Sequence, residues 1–380
     1  MSDCLLLQEI QHFGKGSYTK ITKSNYNTDK KIENLYKDLL RKKDSKDKIE
    51  ELKQLSYSFS EEISIKFNIV YCRYLLINNQ IEQARESLAN LSMIVQKGSN
   101  RNFFIYSNVS MLYFLKGNKF SNAIEVGIRL MKICGYDSLG NNFELGIFYY
   151  NLALAYKNVY SYQKSSYFAY KALNIFNESY DLEQAADCLI LLGICYNNLR
   201  IWDKAYKSFE SAKKIIKKYL CGEYSNKYLG MIENNLGNCF EYQEDYNKAI
   251  NYYLKSLKFL EDENKIVTII NLIRCFYHIN DTHSSRLWLN SALTLDIEQI
   301  NFKYQIQIEV FSILLKEELN IDNIISVQNT SINYFLSNNL WSLAINYCKI
   351  FANLYESLNY NKKASQMYKT ALYASEKLVK

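Results

Sequence analysis

The chain has 380 residues, of which 48% are hydrophobic, and its formal net charge is only +7. It contains no proline and only 12 glycines. Strands and hairpins need turn residues that this sequence lacks, so we predict an all-α protein that is helical throughout. The mild positive charge permits contact with nucleic acid but does not require it.

Metal, cofactor and membrane sites are not indicated by the residues. The nine cysteines form no C-x-x-C pair, and the three histidines show no zinc-ligand spacing. There is no glycine-rich phosphate loop and no Ser/His or Cys/His arrangement typical of a nucleophile with its base. No stretch approaches the ~20 apolar residues of a membrane span, and the N-terminus lacks a secretory signal pattern. We therefore expect a cytoplasmic protein that is not an enzyme and uses no metal or cofactor.

Residues 1–60 carry no repeat signature and are predicted to form a small N-terminal helical segment. We expect a short helix at residues 5–13, a glycine turn at 14–16, a basic helix at 17–23, a loop, and a helix from Thr28 to Arg41, with Thr28 as its N-cap. This order resembles the middle of a phage-repressor helix-turn-helix, whose second helix lies in the DNA major groove. On that resemblance the DNA-reading residues are Ser17, Tyr18, Lys20 and Lys23.

The N-terminal segment departs from the helix-turn-helix pattern, because the usual first helix would have to precede residue 1. The motif is then either vestigial or truncated by a late start. The alternative is a plain helical cap on the domain that follows. The mixed-charge stretch RKKDSKDKIEELKQL leads into that domain and is predicted to be a solvated helix face.

From residue 61 to residue 380 one spacing recurs. In one copy Leu236-Gly237 is followed by an aromatic residue at +4, a small residue at +13, an aromatic at +17 and a small residue at +20. Further copies begin at Leu152, Leu192, Leu272 and Phe351, weaker copies end at Ala84 and Ala123, and residues 306–335 are expected to hold a degenerate pair. The pattern resembles the tetratricopeptide repeat, and the strong copies are about 36 to 44 residues apart. The resemblance implies antiparallel helix pairs stacked into a right-handed superhelical solenoid.

Asparagines concentrate on the first helix of several repeats. In such a solenoid the first helices line a concave surface that suits an extended peptide, whose amides and carbonyls an asparagine can match as donor and acceptor at once. We predict peptide contacts at seven positions. They are Asn151, Asn197, Asn198, Asn235, Asn238, Asn271 and Arg274.

A structural role for these asparagines stands beside the peptide-binding interpretation. Asn151, Asn235 and Asn271 occupy the same template position, immediately before the Leu-Gly pair or its equivalent. An asparagine at that position is common in such repeats as a helix-to-helix hydrogen bond. Asn235, Asn238, Asn271 and Arg274 form a contiguous patch on two adjacent repeats, which favours ligand contact there.

The combination of a candidate helix-turn-helix with long repeats resembles the RRNPP group, the Rap, NprR and PlcR-like peptide-pheromone receptors of Gram-positive bacteria. Two stretches, CLILLGICYNNLRIWDKAYKSF and ENNLGNCFEYQEDYNKAINYYLKSL, carry the resemblance. It implies a cytosolic, dimeric receptor that binds a short signalling oligopeptide in its groove and regulates transcription. Peptide binding would shift the solenoid between conformations and so reposition the N-terminal segment.

Two other functions remain open at this point. The first is a Rap-like regulator that acts on response-regulator proteins without touching DNA. The second is a generic scaffold whose repeats dock another protein's tail. Salt-dependent DNA binding separates the transcription regulator from both, and capture of a response regulator separates the two from each other.

Overall fold

The computed structural model describes residues 23–95, 99–134, 142–219, 223–295 and 300–379. Every regular element in those ranges is helical, as the lack of proline and the scarcity of glycine predict. The α-helices, in chain order, are α1 (Lys23–Leu40), α2 (Lys46–Leu55), α3 (Glu61–Ile77), α4 (Ile81–Val95), α5 (Asn100–Lys116), α6 (Phe120–Cys134), α7 (Asn142–Asn158), α8 (Tyr162–Glu178), α9 (Leu182–Asn198), α10 (Trp202–Tyr219), α11 (Glu223–Glu241), α12 (Tyr246–Leu257), α13 (Asp262–His278), α14 (Thr282–Leu293), α15 (Phe302–Leu314), α16 (Ile321–Ser337), α17 (Trp341–Ser357) and α18 (Asn361–Val379). No helix in the described ranges is long and apolar enough to cross a membrane.

The predicted repeats coincide with pairs of neighbouring helices. The five strong copies are α7–α8, α9–α10, α11–α12, α13–α14 and α17–α18, and the degenerate pair is α15–α16. The chain forms two compact units, residues Met1–Cys195 and Tyr196–Lys380. The predicted all-α fold of repeated helix pairs is confirmed.

Asparagine takes the place of glycine at many helix ends. Asn280, which follows α13, has a φ of 59°. Its N–H donates to the carbonyl of Tyr277 (3.1 Å), while the N–H of Asp281 donates to the carbonyl of Phe276 (3.0 Å). These two hydrogen bonds together form the Schellman motif that ends a helix. Asparagine is the best substitute for glycine at its left-handed position. Four further asparagines adopt the same left-handed conformation: Asn79, Asn118, Asn339 and Asn359.

Small residues at the template positions let the paired helices approach each other closely. A Cβ on Gly237 would lie 2.4 Å from Cε1 of Tyr253. At other small positions the residue is a serine, whose hydroxyl is close enough to the paired helix to donate a hydrogen bond to its backbone. Ser285 Oγ donates to the carbonyl of Ile273 (2.9 Å) across the α13–α14 pair. The small residues of the repeat template therefore mark the positions at which the backbones of two paired helices approach closely.

The N-terminal helix differs from its prediction. α1 begins at Lys23 and ends at Leu40, so Thr28 lies inside the helix and is not its N-cap. The loop predicted before Thr28 is wrong, because no proline or glycine interrupts the helix there. The predicted DNA-reading residues Ser17, Tyr18 and Lys20 lie outside the described residues.

Ion pairs fix α1 to the first unit. Lys66 of α3 donates to Asp29 (2.6 Å) and to Glu33 (3.0 Å). Arg101 of α5 donates through Nη2 to Glu33 Oε2 (2.6 Å) and to Glu144 Oε1 (2.9 Å). Glu144 is fully buried in α7, so Arg101 joins three helices. The mixed charges of α1 thus serve as contacts between helices.

Candidate functional site

Arg274 lies at the centre of a polar network in the second unit. It is 5% exposed and lies in α13, and its Nε and Nη2 both donate to the carboxylate of Glu241 in α11, with 2.9 Å from Nη2 to Oε2. Nη2 also donates to Oδ1 of Asn271 (2.7 Å). Asn271 in turn donates through Nδ2 to Oδ1 of Asn234 (3.1 Å). These contacts join two adjacent repeats through a charged pair and two amides.

Tyr253 extends the network to α12. Its hydroxyl donates to Oε2 of Glu241 (2.5 Å) and lies 2.9 Å from Oδ1 of Asn238. Burial raises the pKa of Glu241, but the charge and hydrogen bonds of Arg274 outweigh burial and hold that pKa below its usual range. Burial likewise lowers the pKa of Arg274, yet Glu241 raises it well above the ordinary value. Both side chains are therefore ionised at neutral pH, and each is the counter-ion of the other.

A pocket of about 150 Å³ lies against this network. Arg274 and Glu241 form part of its lining, together with Asn197, Asn198, Asn346 and Lys349. Both signs of charge and several amides therefore face one small space. Such a lining can match the donors and acceptors of a peptide backbone and can also hold a charged group.

Asn197 carries an unused hydrogen-bonding group in this pocket. Its side chain is 5% exposed. Oδ1 is buried and accepts no hydrogen bond from any residue that the structure describes. A buried polar atom without a partner is costly, and a ligand donor such as a peptide N–H would satisfy it.

His278, which also lines the pocket, stacks on Tyr246 with 4.7 Å between the ring centroids. Burial lowers the pKa of His278. The imidazole is therefore neutral at neutral pH and serves as a packing group.

The structure brings some of the predicted residues together and separates others. Asn197, Asn198 and Arg274 share the pocket. Asn271 and Asn238 belong to the network behind it. Asn235 does not join the network, because its Nδ2 donates to the carbonyl of Met231 (2.9 Å) in its own helix.

Asn151 lies in the first unit, where it lines a different pocket of about 320 Å³. It is 7% exposed, and its Nδ2 donates to no acceptor among the described residues. It therefore shares a template position with Asn235 and Asn271 but makes neither of their contacts.

Glu241 is the residue that reasoning from the sequence missed. It lies five positions after Leu236, whereas Arg274 lies two positions after Leu272 of the next copy. Opposite charges at these two template positions of neighbouring copies were the available signal. Lys349 and Asn346 come from α17 and have no such signal, because only the fold places them beside the network.

No protein-family model matches this chain. The curated proteins include a relative that is 25% identical over 331 residues, the transcriptional activator NprA of Geobacillus stearothermophilus, and the match covers 84% of this chain and 80% of NprA.

Solved proteins with similar folds include NprR and a Rap protein. One is NprR, whose apo form from B. thuringiensis matches with a TM-score of 0.74 and 18% identity over 93% of this chain and 100% of the solved chain. NprR in complex with its cognate peptide NprX matches with a TM-score of 0.65 and 19% identity, over 91% of this chain and 98% of that chain. The other is a Rap protein complexed with competence and sporulation factor, with a TM-score of 0.75 and 14% identity over 93% and 99% of the two chains. These matches confirm the predicted fold class and the resemblance to the RRNPP group.

Proposed function

We propose that this chain, similar in sequence to NprA and in fold to NprR and Rap proteins, is a cytoplasmic receptor that binds a short signalling peptide and regulates transcription. Residues 61–380 would form the receptor, and residues 1–60 would act on DNA. The observation that carries the proposal is the second-unit pocket, in which the buried Oδ1 of Asn197 has no partner in the described chain.

The pocket suits a peptide better than an apolar ligand. Asn197 and Asn198 offer amides, which can donate to carbonyls and accept from N–H groups of an extended backbone. Lys349 offers a cation, and Glu244 offers a carboxylate. Arg274 and Glu241 neutralise each other, so together they present a fixed polar wall to the ligand. A backbone with charged side chains or termini matches this combination.

The comparisons support both halves of the proposal. NprA is described as a transcriptional activator, which supports control of transcription by this chain. NprR has been solved with a cognate peptide, which supports a peptide as the ligand. Ser17, Tyr18, Lys20 and Lys23 are the residues that we propose for contact with DNA. Homodimerisation follows from the resemblance and is part of the same proposal.

Selection from a library of short linear peptides with free termini tests the proposed pocket. The wild-type protein is immobilised, and the peptides that it retains are synthesised and titrated by calorimetry. Asn197→Ala should weaken their binding by about 5- to 150-fold, because a buried hydrogen bond of roughly 1–3 kcal/mol is lost.

Asn251→Ala is the matched control, because Asn251 is an exposed asparagine of α12 outside the pocket lining. It should bind each selected peptide as the wild type does. A library that yields no peptide, or peptides that bind Asn197→Ala with unchanged affinity, would show that this pocket is not the peptide site.

A further inference from the structure

The pocket of about 320 Å³ in the first unit contains an arginine that forms no ion pair with any described residue. Arg73 lies in α3, is 6% exposed and lines this pocket. Its Nε and Nη1 are buried and donate to no group among the described residues. An ionised side chain taken out of water in this way is expensive unless an anion pairs with it.

The two acidic groups whose charge acts on Arg73 do not supply that anion. Glu144 acts on Arg73 through its charge, but the Glu144 carboxylate is bonded to Arg101. Tyr36, whose ring centroid lies 5.9 Å from the Arg73 guanidinium carbon, is a neutral phenol at neutral pH because burial raises its pKa to about 12. Burial accordingly lowers the pKa of Arg73. The guanidinium therefore has cationic and donor capacity that its described neighbours leave unused.

A second unused donor lines the same pocket. Nδ2 of Asn151, on α7, is buried and has no acceptor among the residues that the structure describes. Two buried side chains on different helices, each with a donor that no described residue accepts from, thus line one space. Donors of this kind are complementary to the oxygens of a carboxylate, and an arginine can bind such a group through two parallel hydrogen bonds.

The rest of the lining defines the body of the ligand. Ile77, Leu112, Ile147 and Phe176 give the pocket apolar walls. Its other charged side chains are those of Lys42, Lys116 and Asp187, so cations outnumber carboxylates in the lining. Its volume is at the lower end of the roughly 300–1,000 Å³ that small-molecule sites span. A small ligand with an apolar body and one negative end fits all three properties.

We propose that this pocket binds a carboxylate carried on a short apolar chain, with Arg73 and Asn151 as the groups that hold the carboxylate. Two sources share this chemistry: the C-terminal residue of a peptide that ends in an aliphatic side chain, and a free branched-chain carboxylic acid. This pocket shares no lining residue with the pocket proposed for the signalling peptide. The proposal for it does not depend on the proposed peptide-receptor function.

Calorimetric titration with four defined probes tests the site on the full-length protein. The probes are 4-methylpentanoate, acetyl-leucyl-leucine with a free C-terminus, and the primary amide of each. The acids should bind and the amides should not, because only the acids bring a negative charge to Arg73. Binding of the dipeptide acid alone identifies a peptide C-terminus as the ligand, and equal or tighter binding of 4-methylpentanoate identifies a free acid.

Arg73→Met should weaken binding of the acids by at least about 10-fold, because hydrogen bonds to a charged group are lost. Arg85→Met is the matched control, since Arg85 lies on α4 outside the pocket, is partly exposed, and pairs with Glu82 (2.8 Å). It should leave binding unchanged. Asn151→Leu, which leaves the guanidinium in place, should weaken binding by about 3- to 10-fold and serves as the test should Arg73→Met not fold.

Thermal unfolding separates a binding role from a structural one. Without ligand, Arg73→Met should melt at or above the wild-type temperature, because it removes an unpaired buried cation. The acids should raise the melting temperature of the wild type but not of Arg73→Met. The proposal is overturned if the amides bind as well as the acids, if neither acid binds the wild type at millimolar concentration, or if Arg73→Met keeps wild-type affinity.

Discussion

Arg274 and Glu241 form a buried ion pair between adjacent repeats, with 2.9 Å between Nη2 and Oε2 and exposed fractions of 5% and 8%. Each side chain is the other's counter-ion, and the hydroxyl of Tyr253 also donates to Glu241. A pair of this kind organises a pocket wall, because neither partner can turn away without leaving a buried charge.

Removing one partner of this pair should destabilise the protein more than removing both charges. Arg274→Met leaves Glu241 buried and unpaired, so we expect a loss of about 3–5 kcal/mol in the free energy of unfolding. The double variant Arg274→Met/Glu241→Gln should recover a large part of that loss. Urea unfolding followed by circular dichroism measures both. A double variant no more stable than Arg274→Met would contradict the pairing.

Glu33 should make the first unit sensitive to acid. Although burial raises the pKa of Glu33, hydrogen bonds and charge from Arg101, with Lys66, lower it from 4.5 to about 2. A carboxylate with a depressed pKa contributes stability above its unfolded-state pKa. That contribution, about 3 kcal/mol at neutral pH, is lost as the pH falls from about 4.5 towards 2.

Glu33→Gln should therefore be less stable than the wild type at pH 7, and the difference should shrink as the pH falls below about 4.5. Urea unfolding from pH 7 down to pH 3 measures the two stabilities. Glu51→Gln is a control, since Glu51 is half exposed and pairs on the surface with Lys31 (2.6 Å); surface pairs contribute about 0–1 kcal/mol. A stability difference for Glu33→Gln that does not change with pH would refute the assignment.

Gly237 should not tolerate a side chain. Gly237→Ala would place a Cβ 2.4 Å from the ring of Tyr253, and we expect a loss of about 1–3 kcal/mol from overpacking. Gly117→Ala is the matched control, because Gly117 has a φ of −83° and the nearest atom to its Cβ would be 3.5 Å away. Thermal melts of both variants should show a large decrease for Gly237→Ala only. Equal melting temperatures would show that α11 and α12 can move apart without cost.

The proposed binding of the N-terminal segment to DNA gives a test by salt dependence. Lys20→Gln/Lys23→Gln should weaken binding to DNA from upstream of the gene and reduce the slope of log K against log salt by about 1 for each phosphate that the variant no longer neutralises. Lys369→Gln changes an exposed lysine of α18 and should leave the slope unchanged. Fluorescence anisotropy across a salt series measures the slope. An unchanged slope in the double variant would remove these lysines from the interface.

The repeated helix pairs could be predicted from the sequence because the template is local. Each small residue marks a close approach between neighbouring helices, as Gly237 does against Tyr253, and one repeat mostly contacts the next. The start of α1 was mispredicted because Thr28 matches an N-cap in type. Nothing in its neighbourhood breaks the helix, so the helix continues through it.

The roles of the asparagines could not be predicted from their template position. Asn151, Asn235 and Asn271 occupy the same place, yet Asn271 bonds the neighbouring repeat and Asn235 bonds its own helix, whereas Nδ2 of Asn151 finds no acceptor in the described part of the chain. What each amide meets depends on the side chains that the adjacent repeats bring to it. Those side chains are far away in the sequence and follow no fixed spacing.

Coupling between peptide binding and DNA binding is tested by the affinity of the full-length protein for DNA from upstream of its own gene. Fluorescence anisotropy measures that affinity with and without a peptide selected on the wild type. We predict salt-dependent DNA binding whose affinity changes at saturating peptide, and a change that disappears in Asn197→Ala at the same peptide concentration. DNA affinity that is the same with and without bound peptide, or no DNA binding at low salt, would contradict the proposed function. The second result would direct the search to protein partners such as response regulators.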